Sequence, residues 1–320
     1  MNQKKRLFFL DAARGAAILL VVLGHIWETD DVIPVLIYSF HVPLFFIISG
    51  ILLNYTESAK RSWKQILTAR LTGLIIPYLF YETVFVLIFG LRSHFDFSSL
   101  QANAWDGLMM KPLNVPLWFL ICLFFSELIL LLLLKLIRKN WLVGCICFLL
   151  YIIPFFIKNP EFPADLLLKI CSSMGFLALG YFSAGIIQNT SLPVYVILPA
   201  LAVSAVAAYY NGKTGINKLT FHNPALFTFC AVTGSYSVLF LLKKIRIRIL
   251  ELAGRNTLPI LGLHIIVLRI LQQILGLNTD SIAGGFAALA AICLLLAPVC
   301  VLINRFFPFM AGKPLQKISK

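Results

Sequence analysis

The sequence predicts an all-α integral membrane bundle of about ten transmembrane helices, with both termini in the cytoplasm. Three observations predict it. Hydrophobic residues make up 60% of the 320 residues and charged residues only 12%, with a mean hydropathy of +0.91; a soluble domain has about 45–50% apolar and about 25% charged residues. Apolar runs of spanning length, roughly 20 residues, recur along the whole chain. Basic residues fall in alternate connections.

The first run begins in "MNQKKRLFFLDAARG". It has the positive start of a signal peptide, but Asp11 and Arg14 break its apolar stretch and no small-residue cleavage site follows. It therefore reads as an uncleaved first span over 8–28. Further spans are expected at 33–54, 71–91, 116–136, 141–157, 167–187, 192–210, 222–242, 257–276 and 282–303, the fifth and seventh being the shortest. With the N-terminus in the cytoplasm, 19 of the 27 Lys and Arg residues fall on the cytoplasmic side, in the groups 4–6, 60–70, 135–139, 243–255 and 305–320. The outer connections hold Arg92, Lys111, Lys158, Lys169, Lys213 and Lys218. This asymmetry supports the orientation and an even number of spans. It also accounts for the net charge of +14 without nucleic acid. No soluble domain fits between the spans, so one domain over 1–320 is expected, with a basic cytoplasmic tail from about 304.

The seven cysteines (Cys122, Cys145, Cys147, Cys171, Cys230, Cys293 and Cys300) all fall in apolar runs. No Cys/His cluster has metal-ligand spacing, so they read as small buried hydrophobes and no metal is expected. Two connections stand out. Residues 55–70, "YTESAKRSWKQILTAR", are basic and amphipathic. They suit an interfacial helix anchored by Trp63 on anionic lipid, or a site for an anionic cytoplasmic ligand. Residues 92–115 form the longest outer connection and carry His94, Asp96, Trp105 and Asp106, groups found on carbohydrate-facing surfaces and in ordinary loops alike.

Ionisable residues are costly inside a membrane and tend to mark function. Here they are Asp11, Arg14, His25, His41, Glu82, Glu127, His264 and Arg269. At 100° per residue, Arg14 and His25 share a helix face and stand roughly 16 Å apart along the axis. Asp11 lies one turn before Arg14 and is placed to pair with it. Ala13, Gly15, Ala16, Ala17 and Gly24 let other backbones approach closely. This chemistry leaves three readings open. One is a buried structural network. Another is a site in which Arg14 holds an anionic group near the cytoplasmic surface and His25 moves a proton deep in the membrane. The third is a proton-coupled transporter. Ser49 and Gly50 suit close packing or a substrate contact, and Glu82 and Glu127 are placed to orient histidines or pair with Arg269.

"LDAARGAAILLVVLGH" followed by "SFHVPLFFIISGILL" resembles the start of the membrane acyltransferase-3 family, whose signature of Arg, ten residues and His is matched by Arg14 and His25. "VPLWFLICLFFSEL", with Trp118 and Glu127, resembles its Trp-Phe-Leu span. "AGRNTLPILGLHIIV" resembles its late span ending in Leu-x-His, at His264. The four pieces run in the family's order from residue 10 to about 270. "FHVPLFFIISG" is similar to small fucose 4-O-acetylase-like members, which lack the fused extracytoplasmic domain of larger relatives. Two features depart from the pattern: the usual Arg-x-x-Arg before the third span is reduced to Arg70, with Gly73 three residues on, and the aromatic before the late histidine motif is missing in "ILGLH".

The resemblance implies an O-acyltransferase of the bacterial cytoplasmic membrane. Its donor would be acyl-CoA, most often acetyl-CoA, and its acceptor a hydroxyl of a cell-envelope polysaccharide or lipid-linked sugar. Arg14, Arg70, Lys60, Arg61 and Lys64 would bind the CoA phosphates. His25, with Arg14 and Asp11, would carry the chemistry near mid-membrane. His41, Ser49, Trp118, Glu127 and His264 would line the substrate path. The transfer would be completed within the membrane domain or with a separate partner protein. The alternative is an exporter of a glycan precursor or small metabolite. Membrane lipids are expected around the chain, and the oligomeric state is left open.

Overall fold

The computed structural model describes residues 7–27, 31–92, 97–279 and 281–313. The helices are α1 (Phe8–Ile26), α2 (Val32–Tyr55), α3 (Trp63–Arg70), α4 (Ile76–Arg92), α5 (Phe97–Leu108), α6 (Trp118–Leu136), α7 (Asn140–Ile152), α8 (Ala164–Asn189), α9 (Val194–Asn211), α10 (Pro224–Lys244), α11 (Arg248–Arg255), α12 (Thr257–Gln273) and α13 (Ile282–Phe306). Extended pairing among the described residues is limited to one bridge between Gly215 and Thr220. Some starts are capped as the sequence dictates: the Asn223 Oδ1 accepts from the Leu226 N–H at 3.1 Å ahead of Pro224, and the Ser281 Oγ accepts from the Gly284 N–H at 3.0 Å.

Among the described residues, eight helical stretches are long and apolar enough to cross a membrane, and α11 with α12, broken at Asn256, would add a ninth. The apolar helix at Asn140–Phe156 is shorter. These ten segments are the ten apolar runs of the sequence. The two connections singled out there differ from expectation. Residues 63–70 are no separate surface helix: α3 runs through a π-turn at Leu71–Ile75 directly into α4, and the stretch Trp63–Ile88 qualifies as one span. Within 92–115, residues 97–108 form α5; His94 and Asp96 lie outside the described residues. The cysteines are all free, but Cys145 and Cys293 are exposed and Cys171 half-buried, so only Cys122, Cys147, Cys230 and Cys300 are buried.

The chain divides into two compact units: residues 1–62 with 125–255, and 63–124 with 256–320. In the first, α2 packs against α8 at backbone distance. A β-carbon on Gly50 would collide with the Leu177 carbonyl, and one on Gly180 with the Ile47 carbonyl. Small residues permit such an approach where burial against lipid gives no drive of its own. Earlier along its length α2 meets α10, where Gly234 lies under the Phe40 ring and Ser235 Oγ donates to the Phe40 carbonyl at 3.4 Å. Polar side chains tie α10 to its neighbours: Tyr236 OH and Ser183 Oγ of α8 are 2.5 Å apart, and Tyr151 OH of α7 and Thr228 Oγ1 2.6 Å.

The two ends of this unit differ in charge. At one end, Lys243 Nζ donates to the carbonyls of Ile187, Gln188 and Thr190 at 2.5, 3.2 and 2.6 Å, closing the C-terminus of α8. Arg246 lies over the Phe8 ring at 5.6 Å, and Lys135 Nζ donates to the Arg61 carbonyl at 2.7 Å. The start of α1 therefore lies with the ends of α8 and α10, as alternating spans require. At the other end, Asn211 clasps Asn223: its Oδ1 accepts the Asn223 N–H at 2.9 Å and its Nδ2 donates to the carbonyl at 3.3 Å. The end of α9 thus meets the start of α10.

In the second unit, Gly262 of α12 seats the Tyr81 ring so closely that a β-carbon would collide with it, and Tyr81 OH donates to the Met310 carbonyl at 3.0 Å. Glu82 is buried, but among the described residues it pairs with neither Arg269 nor a histidine. Its carboxylate accepts the backbone N–H groups of Leu113 and Asn114 at 2.6 and 3.2 Å. Asn114 Nδ2 donates onward to the Gly262 carbonyl at 2.9 Å, and Tyr78 OH to the Gly107 carbonyl at 2.6 Å. Glu82 stands ten residues, about 15 Å of helix, from the Arg92 end of α4. The connection between α4 and α6 is therefore drawn back along α4 rather than looping free.

Candidate active site

Helix α1 is almost wholly buried. Its exceptions are the exposed Phe8 and five part-exposed residues, Arg14, Ala16, Leu19, Leu20 and His25. On a helical wheel these five fall into two groups. Ala16, Leu19 and Leu20 cluster on one side. Arg14 and His25 share the opposite side, about 20° apart in projection. The stretch between them on that side carries Ile18 and Val21, both buried. The polar stripe read from the sequence is thus two polar ends joined by an apolar step. Neither end is at mid-helix: Arg14 lies about 9 Å and His25 about 26 Å of helix from Phe8. His25 occupies the last turn of α1.

The Arg14 end is built on backbone contact. A β-carbon on Gly15 would collide with the Leu250 carbonyl of α11, and one on Gly254 with the Asp11 carbonyl. Asp11 is buried, and its Oδ2 lies 3.5 Å from the Arg255 Nε. Arg255 also reaches the Glu251 Oε2 at 3.4 Å, and the Glu251 Oε1 accepts from Arg246 Nε at 2.8 Å. An alternating chain of two acids and two guanidiniums thus ties α11 to the first turn of α1, beside Arg14. The sequence reading missed Arg255 and Glu251, although Arg248, Glu251 and Arg255 in "RILELAGR" lie on one helical face.

The His25 end is built on one aromatic side chain. Tyr38 of α2 donates its hydroxyl to the Gly24 carbonyl at 3.1 Å, one of the carbonyls that a helix end leaves without an internal partner. The same ring stands edge-on to His41, with centroids 5.2 Å apart. Lys213 Nζ lies over it at 5.2 Å. His41 is buried, and its Nδ1 lies 2.7 Å from the Ile37 carbonyl. A carbonyl only accepts, so Nδ1 carries the proton and Nε2 is left as the basic nitrogen. Tyr38 therefore links His41 to the last turn of α1, which carries His25; it gave no signal in the sequence beyond lying one turn before His41.

The remaining residues are distributed over both units. In the first, Ser49 is half-buried beside Gly50 and Glu127 is buried on α6. Lys60 pairs with Glu57 at 3.0 Å, and Arg61 donates to the Thr56 carbonyl at 3.3 Å; both follow the end of α2. In the second, Lys64 is exposed and Arg70 part-exposed. Arg70 ends α3 immediately before the π-turn, a feature frequent at functional sites. Trp118 is buried at the start of α6, and His264 is fully buried on α12, its Nδ1 2.9 Å from both the Ile260 and Leu261 carbonyls. Among the described residues no group of three or more His, Cys, Asp or Glu side chains is placed to hold a metal ion.

No curated protein and no solved structure matches the chain. The family model described as an acyltransferase domain, Acyl_transf_3, matches residues 7–305, nearly the whole chain and with it α1, the Arg14 and His25 face, and His264. The chain belongs to the membrane acyltransferase-3 family.

Proposed function

We propose that this membrane acyltransferase is an O-acetyltransferase that moves an acetyl group from acetyl-CoA on the basic side to a hydroxyl of a cell-envelope glycan or lipid-linked sugar on the other. The observation that carries the reading is that Arg14 and His25, both part-exposed, share one face of a largely buried helix, opposite Ala16, Leu19 and Leu20. Arg14 faces the end where positive charge gathers, and His25 the opposite end. Guanidinium suits phosphate, and the pantetheine arm of CoA is comparable in length with their separation of roughly 16 Å. His25 acts as general base. It takes the proton of the acceptor hydroxyl as the oxygen attacks the thioester carbonyl; the C–S bond breaks, and the proton leaves with the CoA thiolate as the free thiol. Location in a bacterial cytoplasmic membrane is part of this proposal.

The test is purified protein in lipid nanodiscs with acetyl-labelled acetyl-CoA. Stabilisation by CoA and slow release of labelled acetate are expected without acceptor, and label in glycan with it. A second reading, export of a glycan precursor, draws on the break between α11 and α12, since broken helices line transporter sites. CoA-independent uptake of glycan precursor into vesicles, with no labelled acetate formed, would favour it.

A further inference from the structure

We infer that Tyr38 and His41 are positioning residues for His25, acting together through the last turn of α1. The inference rests on the acyl-transfer reading for its kinetic consequence and on geometry alone for its physical content. Helix α1 ends at Ile26, and the Trp27 N–H closes on the Leu23 carbonyl at 3.0 Å. His25 is thus carried by the part of the helix most prone to fray. The Tyr38 hydroxyl holds the Gly24 carbonyl, one residue from His25. The Tyr38 ring also packs over Gly24 itself, where a β-carbon would lie 3.3 Å from Cε2. The absence of a side chain at Gly24 is what lets the ring reach the backbone.

Tyr38 is held in turn from two other directions. His41 stands against its edge. Lys213 lies over its face, and Gly215 packs beside it, a β-carbon there being 3.8 Å from the Tyr38 Cδ1. Lys213 and Gly215 belong to the connection between α9 and α10, which is braced by the Asn211–Asn223 clasp and by paired backbone bonds of Gly215 and Thr220 at 3.0 and 3.1 Å. His41 is fixed by the Ile37 carbonyl. The orientation of one imidazole is therefore set by the Ile37 bond, and the turn carrying the other is set by Tyr38, which touches both. A general base displaced by about 1 Å loses on the order of 100-fold in rate, so loosening this turn is expected to cost turnover rather than donor affinity.

The experiment uses the full-length chain in nanodiscs, with Tyr38→Phe and His41→Gln, singly and together. Tyr38→Phe keeps the ring, its edge contact and its place under Lys213, and removes only the hydroxyl. The expected result is a fall in kcat of about 10- to 100-fold, KM for acetyl-CoA within about twofold and an unchanged melting temperature. The double variant should be no slower than the slower single variant, since both act through His25. In parallel, nitrogen-15 histidine spectra at fixed pH, assigned by single substitutions, should show the His25 resonance moved or broadened by each change. An unchanged His25 resonance in both variants overturns the inference whatever the activity. So does a double variant whose losses multiply. Perturbed His25 resonances in a wild-type protein that transfers no acetyl group would leave the positioning intact and sink the proposed function instead.

Discussion

The two ends of α1 are held by different physics. At the Arg14 end, α1 and α11 touch backbone to backbone through Gly15 and Gly254, and a chain of ion pairs runs from Asp11 through Arg255 and Glu251 to Arg246. At the His25 end, Tyr38 of α2 crosses to the last turn and holds its Gly24 carbonyl. The first arrangement is over-determined by close packing, which tolerates little change. The second sets a half-exposed imidazole beside one side-chain hydrogen bond. On the proposed acyl transfer, the difference suits a donor mouth that keeps one shape and a reacting end that admits an acceptor. It also separates the expected failures: damage to the α1–α11 crossing reaches the fold, and damage at the second end reaches turnover.

The largest effect is expected from Gly254→Val. Its side chain has nowhere to go but into the Asp11 carbonyl, so α11 must leave α1, at a cost of roughly 3 kcal/mol or more. Little monodisperse protein should be recovered by size-exclusion chromatography, and a normally melting variant would show that the crossing is not tight. Next is Arg14→Ala. The fold should persist, since Arg14 is part-exposed, while KM for acetyl-CoA rises about tenfold with the loss of a charged phosphate contact, on the order of 1.5 kcal/mol. An unchanged KM would make Arg14 a purely structural partner. Lys213→Met should lower kcat by no more than about fivefold, because a part-exposed cation over an aromatic ring contributes roughly 1 kcal/mol; steady-state rates check it. Smallest is the Asp11–Arg255 pair. With Arg255 two-fifths exposed and the atoms 3.5 Å apart, a double-mutant cycle on thermal stability should give a coupling below about 1 kcal/mol.

Much of the fold was legible because membranes impose a coarse rule. Ten apolar runs and the alternation of basic residues need no tertiary information, and each run has become a helix. The start of α12 at Thr257 was legible as the start of the ninth apolar run, but the separate helix at Arg248–Arg255 was not, since "RILELAGR" reads by charge as a cytoplasmic connection. Glu82 was misread for a different reason. Its partners are backbone N–H groups 31 and 32 residues away, and a backbone donor leaves no residue-type signal. At the site, the spacing of Arg14 and His25 gave their shared face. The apolar step at Ile18 and Val21 lies on the same face in the sequence, between Arg14 and His25. Tyr38 carried no signal of its own, because tyrosines near span ends are common at membrane interfaces.

The central claim is that the Arg14–His25 face carries acyl transfer, with His25 as the base. Its most direct test is single-turnover transfer from acetyl-labelled acetyl-CoA to envelope glycan by nanodisc-embedded wild type and His25→Ala, each first shown to be folded by its melting temperature. The account predicts labelled glycan from wild type and a loss of about a thousandfold in His25→Ala, with CoA-dependent stabilisation retained. Transfer by His25→Ala at a rate near that of wild type would contradict it.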